Sequence, residues 1–471
     1  IYKSNESLST NKWGLIMNVD MSKRQDLFET MPIMKAIMIM SLPMVLSSLV
    51  TILYNLSDTF FVATLNDSLQ TAAVTLSAPI LLSFNIVNNL FGVGSSSLMS
   101  RMLGIKKFDI VKKVSNICFY CCVGCGVIFS LLFIFFEHEF LVILGVDLQT
   151  MAATQEYMFW TVKLGATPAI LNVVMAYLVR SDGASLQASI GTMSGCFLNI
   201  IVDPFFVLPQ YLNMGVAGSG MATFISNCIA CLYFIVFIML KRKQTFIDIS
   251  LLSFHWDWKI IKEIFVVGIP AAIQNLLSVI SMTVLNHFTV FYGVDAVSAM
   301  GISHKIVMIP LQVVLGFSQG IMPLISYNYA NRNVQRMRNV LYVSLKFSIS
   351  ILIVLCIIFM MFASYLMSIF VDIPHVIQMG SVLIRFSCVQ LPFLCIDYVT
   401  VCVFQACGLG GYALIFAILR KIVLEIPFLY LWDYLYPFYG LSIATPTTEV
   451  ILAIIAIIKL KKILTEQTKR L

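Results

Sequence analysis

Long apolar runs separated by short polar stretches make up most of this chain. An α-helix needs about 20 apolar residues to cross the hydrocarbon core of a bilayer. Runs of at least that length lie at 36–63, 71–99, 114–136, 155–179, 185–208, 215–240, 264–292, 298–328, 340–370, 378–406, 412–433 and 438–460. The pattern predicts an all-α, polytopic membrane protein with twelve transmembrane helices.

The composition agrees with this prediction. Hydrophobic residues make up 59% of the chain, charged residues make up 11%, and the mean hydropathy is +0.93. Soluble domains carry about 25% charged residues. The low charge content excludes a water-soluble protein, and it makes the lipid bilayer the expected main partner.

The net charge of +7 is distributed in a pattern. Basic residues cluster in alternate short loops, as at Lys106, Lys107 and Lys241, whereas the other loops carry acids such as Asp67 and Asp147. Positively charged loops remain on the cytoplasmic side of a membrane. Both termini are therefore predicted to be cytoplasmic, and the charge does not indicate a nucleic-acid partner.

Residues that interrupt or end helices recur in the second half of the chain at a nearly constant offset. The matching pairs are Pro43 with Pro270, Gly94 with Gly320, Pro168 with Pro392, Gly183 with Gly408, Pro204 with Pro427 and Gly215 with Gly440. This recurrence indicates a duplicated unit. Because each unit holds an even number of helices, the two halves enter from the same side, as parallel repeats related by an axis along the membrane normal.

The duplication predicts two pseudo-symmetric six-helix bundles joined by a basic linker. The first 30 or so residues are polar and lack a signal-peptide pattern, so we expect disorder or a surface helix there. The predicted layout is a cytoplasmic N-terminal tail at 1–32, an N-lobe at 33–240, a cytoplasmic linker at 241–263, a C-lobe at 264–460 and a cytoplasmic C-terminal tail at 461–471.

Motifs typical of enzymes and cofactor sites are missing from the sequence. Gly92 and Gly94 lie inside a hydrophobic helix rather than after a strand, so they do not indicate a dinucleotide site. No nucleophile elbow, Walker loop or zinc-binding histidine pair occurs. We therefore expect no enzymatic activity and no cofactor.

Polar residues inside the apolar runs need an explanation, because a charge in the membrane centre is costly. In the first half, Asp58 lies in the outer part of helix 1, with Asn55 on the same helical face. Asn199 and Asp203 share a face of helix 5, and Thr223 on helix 6 falls at a similar depth.

Two interpretations of these residues remain open. The carboxylate, the amide and the carbonyl released by Pro204 would together bind a proton or a sodium ion. Alternatively, Asp203 caps a segment kinked by Pro204, and Asp58 is solvated from outside.

The second half carries its own buried acids. Asp397 lies well inside helix 10 and is either functional or kept protonated by a neighbour. Glu425 on helix 11 either faces the transport path or pairs with Arg420 or Lys421, while Glu449 on helix 12 is compatible with a structural role.

Several segments together resemble the MATE (multidrug and toxic compound extrusion) family, nearest its MepA-like bacterial branch, from about residue 32 onward. The segments that carry the resemblance are Ser41-Leu42-Pro43, Leu56-Ser57-Asp58-Thr59, Phe91-Gly92-Val93-Gly94, Arg180-Ser181-Asp182-Gly183, Asn199 to Pro204, Gly215 to Thr223, and Gly316 to Pro323.

The resemblance implies a V-shaped pair of lobes that exports bulky lipophilic cations in exchange for protons or sodium. It implies that Asp58, Asn199, Asp203 and Thr223 couple transport to the ion, with sodium as one candidate at the first three. Asp397 matches a second cation site of some members, although Phe393 and Ser278 stand where its other partners would be. Asn55, Asp397 and Glu425 are therefore candidates for a substrate or second cation site.

The function expected from the resemblance is secondary antiport by a monomer in a bacterial plasma membrane, driven by an ion gradient. A protein of the same superfamily that flips lipid-linked oligosaccharides or other amphiphiles is the alternative. Such a flippase would favour a cationic cavity, and the acids inside the apolar runs argue against it.

Overall fold

The computed structural model of this chain describes residues 26–65 and 67–469. Most of the predicted N-terminal tail, residues 1–25, lies outside this part. Throughout the described ranges the regular structure is helical, without a β-strand. The predicted all-α class is therefore confirmed.

Each predicted apolar run corresponds to a helical unit, and we number these units in chain order. They are α1 (Ile33–Ala63), α2 (Leu69–Gly104), α3 (Phe108–Phe135), α4 (Met151–Leu164 and Ala166–Ser181), α5 (Ser185–Val207), α6 (Gly215–Leu240), α7 (Trp258–Val290), α8 (Val294–Ala330), α9 (Val334–Met361), α10 (Pro374–Val389 and Leu391–Ala406), α11 (Gly410–Ile418, Leu419–Glu425 and Ile426–Leu435) and α12 (Tyr439–Lys469).

Length and composition support nine single membrane-spanning helices in the described residues, and the bent pairs α4 and α10 raise the number to eleven. The bends measure 50° in α4 and 47° in α10. In α10, Pro392 is the second residue of the second piece and lacks the N–H that would continue the hydrogen bonding of the first. The remaining unit, α11, is helical but carries Arg420, Lys421 and Glu425, which lower its apolar content. The chain is therefore a multi-pass membrane protein.

Equivalent turns end α4 and α10. Gly183 and Gly408 have positive φ angles of +86° and +73°, which glycine adopts without strain. After each glycine the next amide bonds back into the helix, from Ala184 to the carbonyl of Val179 at 3.2 Å and from Leu409 to that of Phe404 at 2.8 Å. This glycine-ended cap is a common helix terminus. Its occurrence at both positions supports the proposed duplication.

The direction of each helix places the loops on two opposite faces of the molecule. We call the face with the loops after α2, α6 and α8 the basic face, because these loops hold Lys106, Lys107, Lys241 and Arg332. The opposite face is the acidic face.

The two halves meet closely near the basic face. On α8, Gly316 and Gly320 lie against α1, and a Cβ added at Gly320 would stand 2.5 Å from the Cα of Ser41. On α2, a Cβ at Gly94 would stand 2.9 Å from Cγ2 of Ile264 on α7. Small residues allow helix backbones to approach in this way. Since Gly94 and Gly320 are a repeat pair, the duplication makes the same contact twice.

The residues before α1 also join the halves at the basic face. Leu27 and Phe28 are buried, and the Phe28 ring stacks on Tyr327 of α8 at 4.7 Å. The Arg336 side chain donates from Nε to the Phe28 carbonyl at 2.6 Å and from a terminal nitrogen to the Met31 carbonyl at 2.7 Å. The end of the predicted tail is therefore packed against the second half.

The linker packs against the first half, and α7 starts earlier than predicted. Asn116 and Tyr120 of α3 donate to the carbonyls of Ser250 and Ile249 at 2.8 and 2.9 Å. The predicted run begins at 264, whereas α7 begins at Trp258, because the Asp257 side chain accepts from the amide of Lys259 and caps the helix. Apolar content alone did not reveal this polar first turn.

We expect Gly320→Ala to destabilise the protein by about 1–3 kcal/mol, because the added methyl group would overlap the α1 backbone. Gly301→Ala is the matched control on the same helix, since nothing lies within 4 Å of a Cβ there. Thermal unfolding of both variants in detergent checks this. Equal melting temperatures for the two variants would contradict the close-contact assignment.

Candidate functional site

Asp58 of α1 is buried, with only 8% of its surface exposed, and it interacts with hydroxyl groups from two other helices. Ser219 of α6 donates a hydrogen bond from its hydroxyl to Oδ1 of Asp58. Tyr157 of α4 also hydrogen-bonds to this carboxyl group. These neutral donors orient the carboxyl group, but they supply no compensating charge.

Asp203 of α5 is fully buried, and both of its carboxyl oxygens lack a hydrogen-bond donor among the described residues. It is close enough to Asp58 for the two groups to interact electrostatically, with Ser219 next to both. An ionised carboxylate that is buried without donors is strongly unfavourable. Asp203 is therefore suited to carry a proton or to bind a cation.

Asn199 completes the same face of α5, one turn before Asp203. Its side-chain amide donates to the Thr223 hydroxyl at 3.1 Å, and its buried Oδ1 has no partner in the described structure. The Tyr54 hydroxyl lies 3.4 Å from the same Thr223 oxygen. The structure thus brings the predicted Asp58, Asn199, Asp203 and Thr223 into one cluster, which we call the carboxylate site.

The two alternatives for this region fit the structure less well. Asp203 caps no amide within the described residues, because neither carboxyl oxygen accepts a hydrogen bond there. Asp58 is buried rather than solvated. Asn55, by contrast, is exposed on α1.

The oxygen atoms of the carboxylate site match the ligands that hard cations such as sodium prefer. Three of its buried acceptors have no donor in the described structure, namely both carboxyl oxygens of Asp203 and Oδ1 of Asn199. A hard cation takes carboxylate and amide oxygens readily. The chemical types of these oxygens are therefore compatible with sodium as well as with a proton.

The buried acids of the second half have a different environment, because cations of the protein accompany them. Arg420 of α11 binds Glu449 of α12, with Nε donating to Oε1 at 2.7 Å. Its guanidinium group also lies over the Tyr398 ring at 4.8 Å. Asp397 is next to Glu449 and interacts electrostatically with Arg420. An internal cation thus stands beside the acid that was a candidate for a second cation site.

Glu425 is paired in a similar way. Lys421 donates to one carboxyl oxygen of Glu425 at 2.6 Å, and Ser281 donates to the other at 2.5 Å. This pairing was one of the two alternatives for Glu425, and it is the arrangement that the structure contains. Glu425 also lines a cavity of about 230 Å³ within the second half.

For four residues of these clusters, the sequence alone indicated either no functional role or only a possible pairing or structural role. Ser219 lies four residues before Thr223, so helical spacing would have placed it on the same face. Tyr157 gave no signal, because only helix packing brings α4 to α1. Arg420 and Glu449 lie on different helices, and their spacing in the chain does not predict contact.

Outside the membrane-spanning helices, two acids on the acidic face of the first half stay charged. Hydrogen bonds from the Gln70 side chain and the Leu69 amide hold the pKa of Asp67 below its usual value. Those from the Thr150 hydroxyl and amide lower the pKa of Asp147. Both residues line a cleft of about 700 Å³ on the acidic face, which gives this cleft a negative charge.

Comparison with known proteins identifies the architecture. The family model MatE matches residues 43–205 and 270–431, once in each half of the chain. The multidrug export protein MepA of Staphylococcus aureus (strain MRSA252) is 31% identical over 432 residues, which cover 92% of this chain and 94% of that protein.

Solved structures agree on the fold. A crystal structure of MATE in complex with MaL6 superposes with a TM-score of 0.89 at 24% identity, covering 95% of this chain and 99% of the other. A structure described as the outward-facing conformation of a multidrug resistance MATE family transporter of the MOP superfamily gives a TM-score of 0.88 at 24% identity, covering 94% and 98%. At this identity the likeness supports the fold alone.

We expect Arg420→Gln to destabilise the protein by about 3–5 kcal/mol, because Glu449 would remain buried without its cation. The double variant Arg420→Gln/Glu449→Gln should recover much of this loss, since both charges are removed. Arg385→Gln, at an exposed position on α10, is the control. Thermal unfolding measures all three variants, and a double variant less stable than Arg420→Gln would rule out the ion pair as the cause.

Proposed function

Because the chain belongs to the MatE family, we propose that it is a multidrug exporter whose carboxylate site couples export to the entry of protons or sodium ions. As a member of this family the protein is a transporter and not an enzyme. The name of its Staphylococcus aureus relative, multidrug export protein, supports this proposal. The observation that carries the coupling role is the burial of Asp203 beside Asp58 without a basic partner among its described interactions.

Burial makes the charge of these acids sensitive to what binds them. When both carboxyl groups are ionised in a low-dielectric environment, the two negative charges repel each other and lose their hydration. Binding of a proton, a sodium ion or a cationic substrate therefore lowers the electrostatic energy of the pair. Only one of these partners is needed at a time. Competition for the same charge is therefore sufficient to exchange a small cation for a large one.

The substrate class follows from the same reasoning. Buried carboxylates without an internal cation attract cationic groups. We therefore propose lipophilic cations as substrates. A flippase for acidic lipids would instead need available positive charge, and Arg420 and Lys421 are both paired with carboxylates.

The contact between the halves supports an assignment of the conformational state. If the basic face is cytoplasmic, the close packing of α1 on α8 and of α2 on α7 closes the cytoplasmic side. The structure then corresponds to an outward-facing state. Binding of the ion at Asp58 would change the packing of α1, which is the helix that also forms this seal.

Coupling is tested in vesicles that contain the purified protein and ethidium. A pH gradient and a sodium gradient are applied separately, and the initial rate of ethidium movement is measured by fluorescence. We expect at least one gradient to accelerate movement by roughly tenfold or more over the rate without a gradient, as an energy difference of 1.4 kcal/mol would. Equal rates under all conditions would refute ion-coupled export.

The site is tested by neutral substitutions that keep the side-chain shape. Asp58→Asn and Asp203→Asn should each abolish the response to the gradient, because an amide cannot exchange a proton or compensate a cation's charge. Asp295→Asn, at an exposed acid on the acidic face, is the matched control and should transport normally. Size-exclusion profiles exclude misfolding, and full coupled transport by Asp58→Asn would remove that residue from the mechanism.

A further inference from the structure

A cavity of about 310 Å³ lies between the two halves, and its lining differs from that of the carboxylate site. Helices α2 and α4 of the first half contribute to it, together with α7, α8 and α10 of the second half. Eight of its nineteen lining residues are Asn or Gln, and none is Asp, Glu, Lys, Arg or His. We call this cavity the carboxamide chamber.

The chamber lies next to the seal between the halves. Gln319 precedes Gly320 on α8, and Asn88 precedes Gly94 on α2, where both helices run towards the basic face. The Tyr177 hydroxyl donates to Oε1 of Gln319 at 3.2 Å and so connects the halves at the floor of the chamber. A ligand here would contact both halves at the point where access must alternate.

Local backbone structure places two of the carboxamides in the chamber. Residues Asn88–Val93 of α2 form a π-helical segment, which is uncommon and often occurs at functional sites. The wider turn brings both Asn88 and Asn89 to the lining, and Asn89 donates to the Asn85 carbonyl of its own helix at 2.7 Å. The distorted segment therefore contributes polar residues to the chamber, while Phe91 and Val93 of the same segment pack in the apolar core.

One of these carboxamides lacks a partner for its acceptor. Asn88 is only 4% exposed, and its Oδ1 has no hydrogen-bond partner in the described structure. A buried acceptor without a donor is unfavourable. A ligand that brings an N–H or O–H group into the chamber would satisfy it.

Carboxamides recognise a different property from carboxylates. Each offers donors and an acceptor without net charge. A site built to hydrogen-bond a ligand discriminates strongly against an analogue that lacks the matching group. A cation without N–H or O–H groups would therefore gain little here, although it would still be attracted to Asp58 and Asp203.

We propose that the carboxamide chamber is a second binding site, which holds the uncharged hydrogen-bonding groups of the exported compounds. This inference rests on the proposed export function, but it does not depend on which ion drives export. Compounds that carry aromatic amines, amides or hydroxyl groups bind in the chamber through Asn88 and Gln312, among other residues. Cations that lack such groups rely on the carboxylate site.

The test compares two cationic probes that differ in hydrogen bonding. Ethidium carries two aromatic amino groups, whereas tetraphenylphosphonium has a fixed charge and no N–H or O–H group. Equilibrium binding of each probe is measured with the purified full-length protein and with Gln312→Met. We expect ethidium to bind about three- to tenfold more weakly to the variant, as the loss of one hydrogen bond predicts. Tetraphenylphosphonium binding should change less than twofold.

Two further variants make the result unambiguous. Gln390→Met is the matched control, because Gln390 is similarly half-buried but lines the cavity of the second half. It should leave ethidium binding unchanged. Gln312→Glu keeps the side-chain size and adds a charge, so it should strengthen the binding of both probes if ligands reach the chamber.

The outcomes separate this inference from the proposed function. Equal weakening of both probes by Gln312→Met, or no weakening of either, would overturn the chamber as a hydrogen-bonding site. If ethidium binding alone weakens while Asp58→Asn retains full coupled transport, the chamber stands and the carboxylate coupling falls. If Gln312→Met leaves ethidium binding unchanged while Asp58→Asn abolishes coupled transport, the carboxylate coupling stands and the chamber is ruled out as a binding site.

Discussion

The cost of burying ionisable groups in hydrocarbon is the constraint on which the rest of this structure depends. One charge at the bilayer centre costs about 2.5–3.5 kcal/mol on insertion scales. The second half compensates its acids internally, with Arg420 on Glu449 and Lys421 on Glu425. The first half surrounds Asp58 with hydroxyl groups and leaves Asp203 without a donor in the described residues. Asp397 of the second half likewise has no hydrogen-bond donor in the described residues, but the charge of Arg420 acts on it. The acids of the first half have no such internal cation among their described interactions, so a mobile cation lowers their energy more.

The duplication gives the two halves equivalent contacts but different chemistry. Gly94 and Gly320 make the same close approach in opposite halves, so the seal near the basic face is pseudo-symmetric. A symmetric seal suits a rocking motion, because both contacts open or close together. The charged clusters differ between the halves, since ion exchange needs uncompensated acids in one place only.

Separate sites for charge and for hydrogen bonding offer an explanation for broad substrate range. A carboxylate site attracts many cations with little selectivity for their shape, because Coulomb attraction is not directional. The carboxamide chamber adds partners that rotate between donor and acceptor roles, and it lies where both halves contribute. A compound that uses either site, or both, would then be bound.

The sequence alone predicted the all-α membrane architecture, the duplication and the common depth of Asp58, Asn199, Asp203 and Thr223. The architecture and the depth are local properties, since apolar length, helix rise and face spacing follow from neighbouring residues. The duplication is visible because the same helix-interrupting residues recur along the chain. Only the tertiary structure placed Ser219 beside Asp58 and Asp203, paired Arg420 with Glu449, and collected carboxamides from four helices into one chamber. Contacts between helix faces depend on packing between segments that are far apart in the chain. Hydrophobic periodicity shows which face of a helix is apolar, but it does not predict which other helix packs against that face.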